Sequence, residues 1–495
     1  MQAIPAEPRS GKGYLVEGFF LLLWLTLWLF GFPKPNGDDG FFTGAGIHLA
    51  ETGRLFNPWV TGWMGYIEGV HRDKFFVQPP LYPVVLAVWV KLFGVSAATL
   101  TAFACSLGAL YSIILASVAR RAGASVLAAS FLPLVVTGWI LQRGLRPEAL
   151  ALGCAALGQL YFFRGGRRGY FLGGLFSSAA VIAHPFWITL VVPATLLTFV
   201  RSVPPLSRVA RTLFTAMGVG AAGLALMVGL GRDVPGFFHD LIGHARLISP
   251  NTERLQIFRV HFWVGYESYV RLVVIFLFLG SLLLVARKSR SRAWCCLIGL
   301  LVSAALGLAL YPAQTAIYLV ILCAALPLLL TDLNTGWRHH LLFVPGGILA
   351  FWFGTQQLLQ HRADREHDSW HPDPGLAPYL SAVQPEQVFF DSTTLRYAFD
   401  YRPPVGAVDY AWSWSPGESA RWWSISALAP RDLWVINPNW CSQVAPDSAS
   451  RGEFQIGGRV FRSIRSARAA LLIVGSDLPE PPNLHFIHSP NPLTK

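Results

Sequence analysis

The chain has 495 residues, of which 53% are hydrophobic and only 13% are charged. Because an ordinary soluble protein has about 25% charged residues, this composition excludes a soluble enzyme, a disordered chain and a collagen-like chain. Its long apolar runs predict an all-α polytopic membrane protein. The net charge of +12 does not indicate nucleic acid as a partner, because the basic residues lie in short clusters between apolar runs.

Charge divides the chain into two unequal parts. Residues 1–359 hold 27 basic and 13 acidic residues, whereas residues 360–495 hold 12 and 14. A stretch rich in Pro, His and Asp, residues 361–374, separates them and is typical of a linker. The sequence therefore predicts a transmembrane body, 1–359, followed by a small soluble C-terminal domain, 360–495.

Apolar runs of spanning length follow one another along the first part. Residues 14–32 form the first and predict an uncleaved span. Residues 170–200 are too long for one helix and carry His184-Pro185 near the middle, so two short spans with a turn are expected. The remaining runs of spanning length are 97–119, 123–141, 147–163, 212–230, 270–286, 293–310, 314–331 and 341–358.

Residues 79–93 are apolar but short for a span, which needs about 20 residues. If they do not span, all the Arg/Lys clusters face the cytoplasm, as the positive-inside rule requires. We therefore expect 79–93 to form an amphipathic helix in the outer interface. This arrangement predicts about 11 transmembrane helices and an extracytoplasmic C-terminal domain in a multi-pass protein of the cell inner membrane.

The outer loop 33–96 is the segment in which chemistry is expected. Asp38 and Asp39 stand side by side just after the first span, and a helix over 41–52 is predicted to end at Gly53. Two interpretations are open for Asp38: a functional carboxylate, or a residue that caps this helix in a solvated loop. Acids close to hydrocarbon are costly and tend to be kept at sites or in wet loops.

The motifs of this loop, in their order, resemble those of a known family. The acid pair, the helix ending in glycine, the segment VQPPLYP and the later segments LRPEAL, AHPFWITLVVP, GFFHDLIGHARL and FFDSTTLRYAFDY are similar to the GT-C glycosyltransferases. The resemblance is to the group of protein O-mannosyltransferases and the bacterial lipid A aminoarabinose transferase. It implies the GT-C fold, with a sugar taken from a polyprenyl-phosphate carrier on the outer face of the membrane.

The resemblance also assigns residues. It implies that Asp38 is the catalytic acid/base, with Asp39 as the second acid of the loop and Glu148 as a second acidic site. His244 matches a metal-associated histidine, so Asp38 and His244 are candidates for a possible divalent metal ion. Val77-Gln78 stands where the aminoarabinose transferase has Glu-Lys, the Glu being a metal ligand and the Lys a contact of the carrier phosphate.

Elementary chemistry supports the same division of roles. A base must remove the acceptor proton, and a carboxylate near the membrane surface suits that task. Positive or hydrogen-bonding groups must stabilise the leaving phosphate. The candidate phosphate partners are Gln78, Arg143, Arg146, His184 and Arg246.

The C-terminal domain is predicted to be a small α/β unit. Its expected strands are 387–391, 432–436, 454–463 and 469–474. The chain contains neither GxGxxG nor GxxxxGK[ST], so neither a nucleotide-sugar donor nor ATP coupling is supported.

Two functions of different classes are compatible with these features. The first is a glycosyltransferase whose partners are a polyprenyl-phosphate-linked sugar donor, the lipid bilayer and a lipid, glycan or protein acceptor. The alternative is a transporter or flippase for a lipid-linked substrate. Transporters usually carry internal repeats and ionisable residues at mid-membrane, whereas the predicted spans carry acids only at Glu17 and, at the outer start of 147–163, at Glu148.

Overall fold

The fold is taken from a computed structural model. It describes residues 11–33, 38–60, 76, 78–121, 141, 144–201, 207–248 and 290–312, and further isolated positions between them. In the C-terminal part it describes mainly 388–390, 395–404, 408–409, 433–436, 453–456, 459–465 and 471–475.

The described part of residues 1–359 is helical. Its helices in chain order are α1 (Gly11–Leu29), α2 (Asp39–Thr52), α3 (Leu81–Phe93), α4 (Ala97–Arg121), α5 (Glu148–Arg164), α6 (Gly166–Ala183), α7 (Ile188–Arg201), α8 (Arg208–Leu230), α9 (Val234–Ile248) and α10 (Arg290–Leu310). Short 3₁₀ turns at Pro185–Trp187 and Gly231–Asp233 join α6 to α7 and α8 to α9.

Seven of the predicted spans coincide with described helices. The break predicted near residue 184 is confirmed, because His184 is extended between α6 and the following 3₁₀ turn. By length and composition, two described helices can cross a membrane, Ala97–Arg120 and Arg208–Leu230, and four others are shorter apolar helices. The predicted spans 123–141, 270–286, 314–331 and 341–358 fall almost entirely outside the described residues, so the count of eleven stays a prediction.

Small residues bring the helices of the body close together. A Cβ at Gly218 of α8 would overlap the backbone of Phe171, and one at Gly174 of α6 would overlap the backbone of Thr215. Trp24 of α1 donates a hydrogen bond to Ser112 of α4 at 3.0 Å. Such small-residue crossings and interhelical hydrogen bonds are typical of helices packed in lipid.

The predicted helix of the outer loop is α2, and Gly53 ends it as expected. Gly53 has φ 74° and its N–H bonds the carbonyl of Leu49, which is a left-handed C-terminal cap. Residues 79–93 also form the expected helix, α3, which packs against α2. Val84, Val88 and Leu92 stay exposed on one face of α3, an apolar stripe suited to lipid, while its interfacial orientation stays a prediction.

The described C-terminal strands form a single mixed sheet. They are β1 (Val388–Phe390), β2 (Val408–Asp409), β3 (Leu433–Ile436), β4 (Glu453–Ile456), β5 (Arg459–Arg465) and β6 (Leu471–Gly475), with a short helix α11 (Leu395–Phe399) after β1. Their order in the sheet is β2-β1-β3-β6-β5-β4. The β2-β1-β3 neighbours are parallel and the other pairs antiparallel.

The prediction of one strand over 454–463 is wrong. This stretch contains an antiparallel hairpin, in which Ile456 pairs with Arg459 around Gly457-Gly458. Gly-Gly is a common sequence signal for a hairpin, because glycine accepts positive φ, and the prediction overlooked it.

The outer loop and the C-terminal part share one hydrophobic core. Phe41 and Phe42 of α2 and Tyr82 and Leu86 of α3 are buried in one cluster with residues of β1, α11 and β3. Trp59 packs edge-to-face on Phe390, with ring centroids 6.1 Å apart. The boundary at 359/360 stays a prediction, but the sheet is packed against the end of the body that carries Asp38.

Candidate functional site

Asp38 stands at the N-cap position of α2, but its side chain makes no capping hydrogen bond. Its Oδ2 instead pairs with Nη1 of Arg146. The Asp38 side chain is 25% exposed, so it reaches solvent at the edge of the cluster. The side chain of Asp38 therefore does not cap α2, and its functional role stays a prediction.

Arg146 connects Asp38 to Glu148. Its Nε donates to Glu148 Oε1 at 2.7 Å, and the two side chains are 13% and 1% exposed. The guanidinium also lies over the ring of Phe42, 5.0 Å from the centroid. Pro147 forms the N-cap of α5 and Glu148 is its first residue, so the start of this helix positions Glu148 and, just before it, Arg146. The two carboxylates are thus brought together through one guanidinium.

Asp39 is fully buried and has different partners from Asp38. Its Oδ1 accepts from the backbone N–H of Leu145 at 2.8 Å, and its Oδ2 accepts from the Tyr401 hydroxyl at 3.2 Å. On the other side of the 145–147 turn, the Tyr82 hydroxyl donates to the carbonyl of Leu145 at 2.5 Å. Asp39 and Tyr82 together fix the backbone from which Arg146 projects.

The Tyr82 hydroxyl is held in its neutral form. Burial raises the pKa of Tyr82 well above its usual value, and the neighbouring Asp39 and Glu148 carboxylates raise it further, against a smaller lowering by Arg146. Tyr82 therefore remains a hydrogen-bond donor throughout the physiological pH range.

A segment of the C-terminal part reaches this cluster. We call residues 395–402 the docking segment. Arg396 is 2% exposed and donates from Nη1 to the carbonyls of Gly31 and Pro33, at 2.7 and 3.3 Å. Asp400 Oδ1 accepts from the N–H of Ala97, the first residue of α4, at 2.5 Å. Tyr401, Arg396 and Asp400 were not among the predicted site residues. Their only sequence signal is that they lie within FFDSTTLRYAFDY, one of the segments of the family resemblance.

The other predicted site residues have no described contact with the cluster of Asp38, Arg146 and Glu148. His184 is 7% exposed at the break after α6. Because α6 runs antiparallel to α5, this break lies at the same end of the body as Glu148. Gln78 is partly buried just before α3. Arg143 lies outside the described residues, as do the side chains of His244 and Arg246 on α9.

The described residues do not fit a divalent metal ion at Asp38. The positive charge between Asp38 and Glu148 is supplied by Arg146, and Asp39 is engaged by Leu145 and Tyr401. Among the residues that the structure describes, no group of three or more His, Cys, Asp or Glu is placed to hold a metal. A role for His244 as a ligand stays a prediction.

Comparison with known proteins identifies the fold. No protein-family model matches the sequence, and no curated protein matches it either. A solved structure does match: ArnT from Cupriavidus metallidurans, in a crystal structure bound to undecaprenyl phosphate. The match covers 95% of this chain and 100% of that one, with 12% sequence identity and a TM-score of 0.51. The chain has the ArnT fold. The GT-C architecture expected from the sequence is thereby confirmed at the level of the fold.

Proposed function

We propose that this chain is a membrane glycosyltransferase that moves a sugar from a polyprenyl-phosphate carrier to an acceptor on the outer face of the membrane. The observation that carries the proposal is the cluster of Asp38, Arg146 and Glu148 at one end of a body with the ArnT fold. ArnT was crystallised with undecaprenyl phosphate, which makes a lipid of that class the expected donor carrier here. Fold alone does not determine function, so the residues of the cluster must support the chemistry.

Asp38 is suited to act as the general base. It is the most exposed carboxylate of the cluster, and it lies at the start of a helix at the edge of the body. We infer that it accepts the proton of the acceptor hydroxyl as the oxygen attacks the anomeric carbon. The bond from that carbon to the carrier phosphate breaks on the opposite face, so the configuration inverts and the proton remains on Asp38.

Arg146 and Glu148 would hold this base in place. The guanidinium bridges two carboxylates, Asp38 through Nη1 and Glu148 through Nε. It thereby orients Asp38 and partly offsets its charge. A carboxylate as buried as Glu148 is retained in a membrane protein when it is paired or serves a site. Asp39, fully buried, supports the turn that carries Arg146 and is a positioning residue in this scheme.

The leaving phosphate needs hydrogen-bond donors or positive charge. His184, Gln78, Arg143 and Arg246 are the proposed partners. His184 is supported by its place at the site end of the body, next to the buried Trp187. Location at the outer face of the inner membrane is proposed from the positive-inside distribution of charge.

The test is an assay of sugar transfer by the purified full-length protein in lipid nanodiscs. Undecaprenyl-phosphate sugars are supplied, and the release of undecaprenyl phosphate is measured. Asp38→Asn keeps the shape but removes the base, and we expect turnover to fall by about 10²–10⁴-fold. The control is Glu51→Gln, which removes an exposed acid from the same helix and is expected to keep parental turnover.

Equal turnover in Asp38→Asn and the parent would reject Asp38 as the base. A parent that moves undecaprenyl phosphate between leaflets of a vesicle, without transferring sugar from any carrier, would reject the enzyme in favour of the transporter.

A further inference from the structure

The docking segment contacts three elements of the body at once. Arg396 bonds the backbone just beyond the C-terminus of α1, Asp400 bonds the first N–H of α4, and Tyr401 bonds Asp39 of α2. The partners are separated by 365, 303 and 362 residues along the chain. The contacts of Arg396 and Asp400 satisfy backbone groups at helix ends, and the contact of Tyr401 gives the buried Asp39 carboxylate a partner in addition to the N–H of Leu145.

The backbone of the docking segment is unusual where it meets the site. Asp400 and Tyr401 have φ 49° and 61°, consecutive left-handed conformations that non-glycine residues seldom adopt. The turn is closed by the N–H of Tyr401 on the carbonyl of Leu395 and by the N–H of Arg402 on that of Phe399, both at 2.9 Å. Strain of this kind persists where surrounding contacts determine it, and it clusters at functional positions.

Two hydrogen bonds, one stretch of backbone and one ion pair connect Tyr401 to the proposed base. Tyr401 donates to Asp39, and Asp39 accepts from the N–H of Leu145. The next residue is Arg146, whose guanidinium holds Asp38 and Glu148. A shift of Asp39 would be transmitted to the 145–147 turn and so to the position of Arg146.

We propose that the docking segment is part of the site, with Tyr401 as a positioning residue that sets the geometry of Asp38 through Asp39 and Arg146. The C-terminal domain would then be required for the chemical step rather than only for attachment or acceptor delivery. This proposal rests on the proposed function for its kinetic consequence, but its structural consequence can be measured independently.

The first test is Tyr401→Phe, which removes one hydroxyl and keeps the ring. We expect kcat to fall about ten-fold, the scale of one hydrogen bond to a charged group, with KM for the undecaprenyl-phosphate sugar and the melting temperature little changed. The matched control is Tyr111→Phe. Tyr111 is equally buried, 1% exposed, but lies on α4, outside the site, so its variant should keep parental kcat.

The second readout does not depend on activity. The backbone N–H of Leu145 donates a hydrogen bond to Asp39. Its hydrogen exchange should accelerate in Tyr401→Phe and remain at the parental rate in Tyr111→Phe. Unchanged protection at Leu145 would overturn the proposal even if the enzyme is active. If the parent transfers no sugar but Leu145 loses protection, the proposed function fails while the structural coupling stands.

Asp400 provides a rescue test of the same segment. Asp400→Asn keeps an acceptor for the N–H of Ala97 and tolerates the left-handed backbone, so we expect near-parental kcat and exchange. Asp400→Ala loses the acceptor and should resemble Tyr401→Phe in both readouts. Parental kcat and parental Leu145 protection in Asp400→Ala would overturn a role for the segment.

Discussion

Arg146 is the residue on which the cluster depends. One guanidinium lies between two carboxylates, of which Glu148 is 1% exposed and Asp38 25% exposed. Without it, two like charges would face each other in a poorly solvated place. Removing one partner of a buried ion pair is more damaging than removing the whole pair, because the remaining charge is left uncompensated.

We therefore expect Arg146→Gln to lower the free energy of unfolding by up to about 3–5 kcal/mol and to abolish transfer. The double variant Arg146→Gln/Glu148→Gln should recover most of the stability but not the activity. Arg54→Gln, at an exposed arginine just after α2, is the control. Thermal melts in detergent measure the stabilities, and a double variant no more stable than Arg146→Gln would contradict this account.

Tyr82 is expected to make the folding stability fall at alkaline pH. Burial raises the pKa of Tyr82 in the folded protein, whereas a tyrosine in the unfolded chain has a pKa of about 10. Above that pH the unfolded chain loses this proton and the folded one retains it, so folding stability declines as the pH rises. Melting temperatures between about pH 8 and 11 should fall less steeply in Tyr82→Phe than in the parent, and parallel slopes would refute the assignment.

At the scale of elements, the close crossing of α6 and α8 depends on glycine. Gly218→Ala would bring a Cβ onto the backbone of Phe171, whereas Gly220→Ala on the same helix meets nothing within 4 Å. Overpacking costs about 1–3 kcal/mol, so Gly218→Ala should melt at a lower temperature in detergent. Gly220→Ala should melt at the parental temperature or slightly above, since alanine favours helix. Equal melting of the two variants would show that α6 and α8 do not cross at Gly218.

Local elements were predictable because their signals are local. The length of an apolar run indicates a span, Gly53 indicates the end of α2, and His184-Pro185 indicates the break after α6. The docking segment was noted only as part of the family resemblance, within FFDSTTLRYAFDY. Its contacts could not be predicted, because the partners lie more than 300 residues away along the chain. Arg146 was predicted beside a phosphate, and only the fold reveals that two carboxylates surround it.

At the scale of the whole molecule, helix directions separate two chemical ends. The C-terminus of α1 and the N-termini of α2, α4 and α5 meet at the acidic cluster, where the sheet also docks. The opposite end carries basic residues at the end of α4, between α5 and α6, and at the start of α8; they are Arg120, Arg121, Arg164, Arg167, Arg168 and Arg208. The positive-inside rule predicts that this end faces the cytoplasm, which would place the acidic cluster and the sheet outside.

Single cysteines at the two ends test this orientation. In a background lacking the six native cysteines, Glu51→Cys places a thiol at an exposed position of the otherwise mostly buried α2, and Arg168→Cys places one at an exposed position of the basic end. An impermeant maleimide added to intact cells should label the first and reach the second only after the membrane is permeabilised. Both positions are solvent-exposed, so a difference in labelling reports sidedness rather than burial. Labelling of Arg168→Cys in intact cells would invert the topology, and a carrier presented at the outer face would then be unable to meet Asp38.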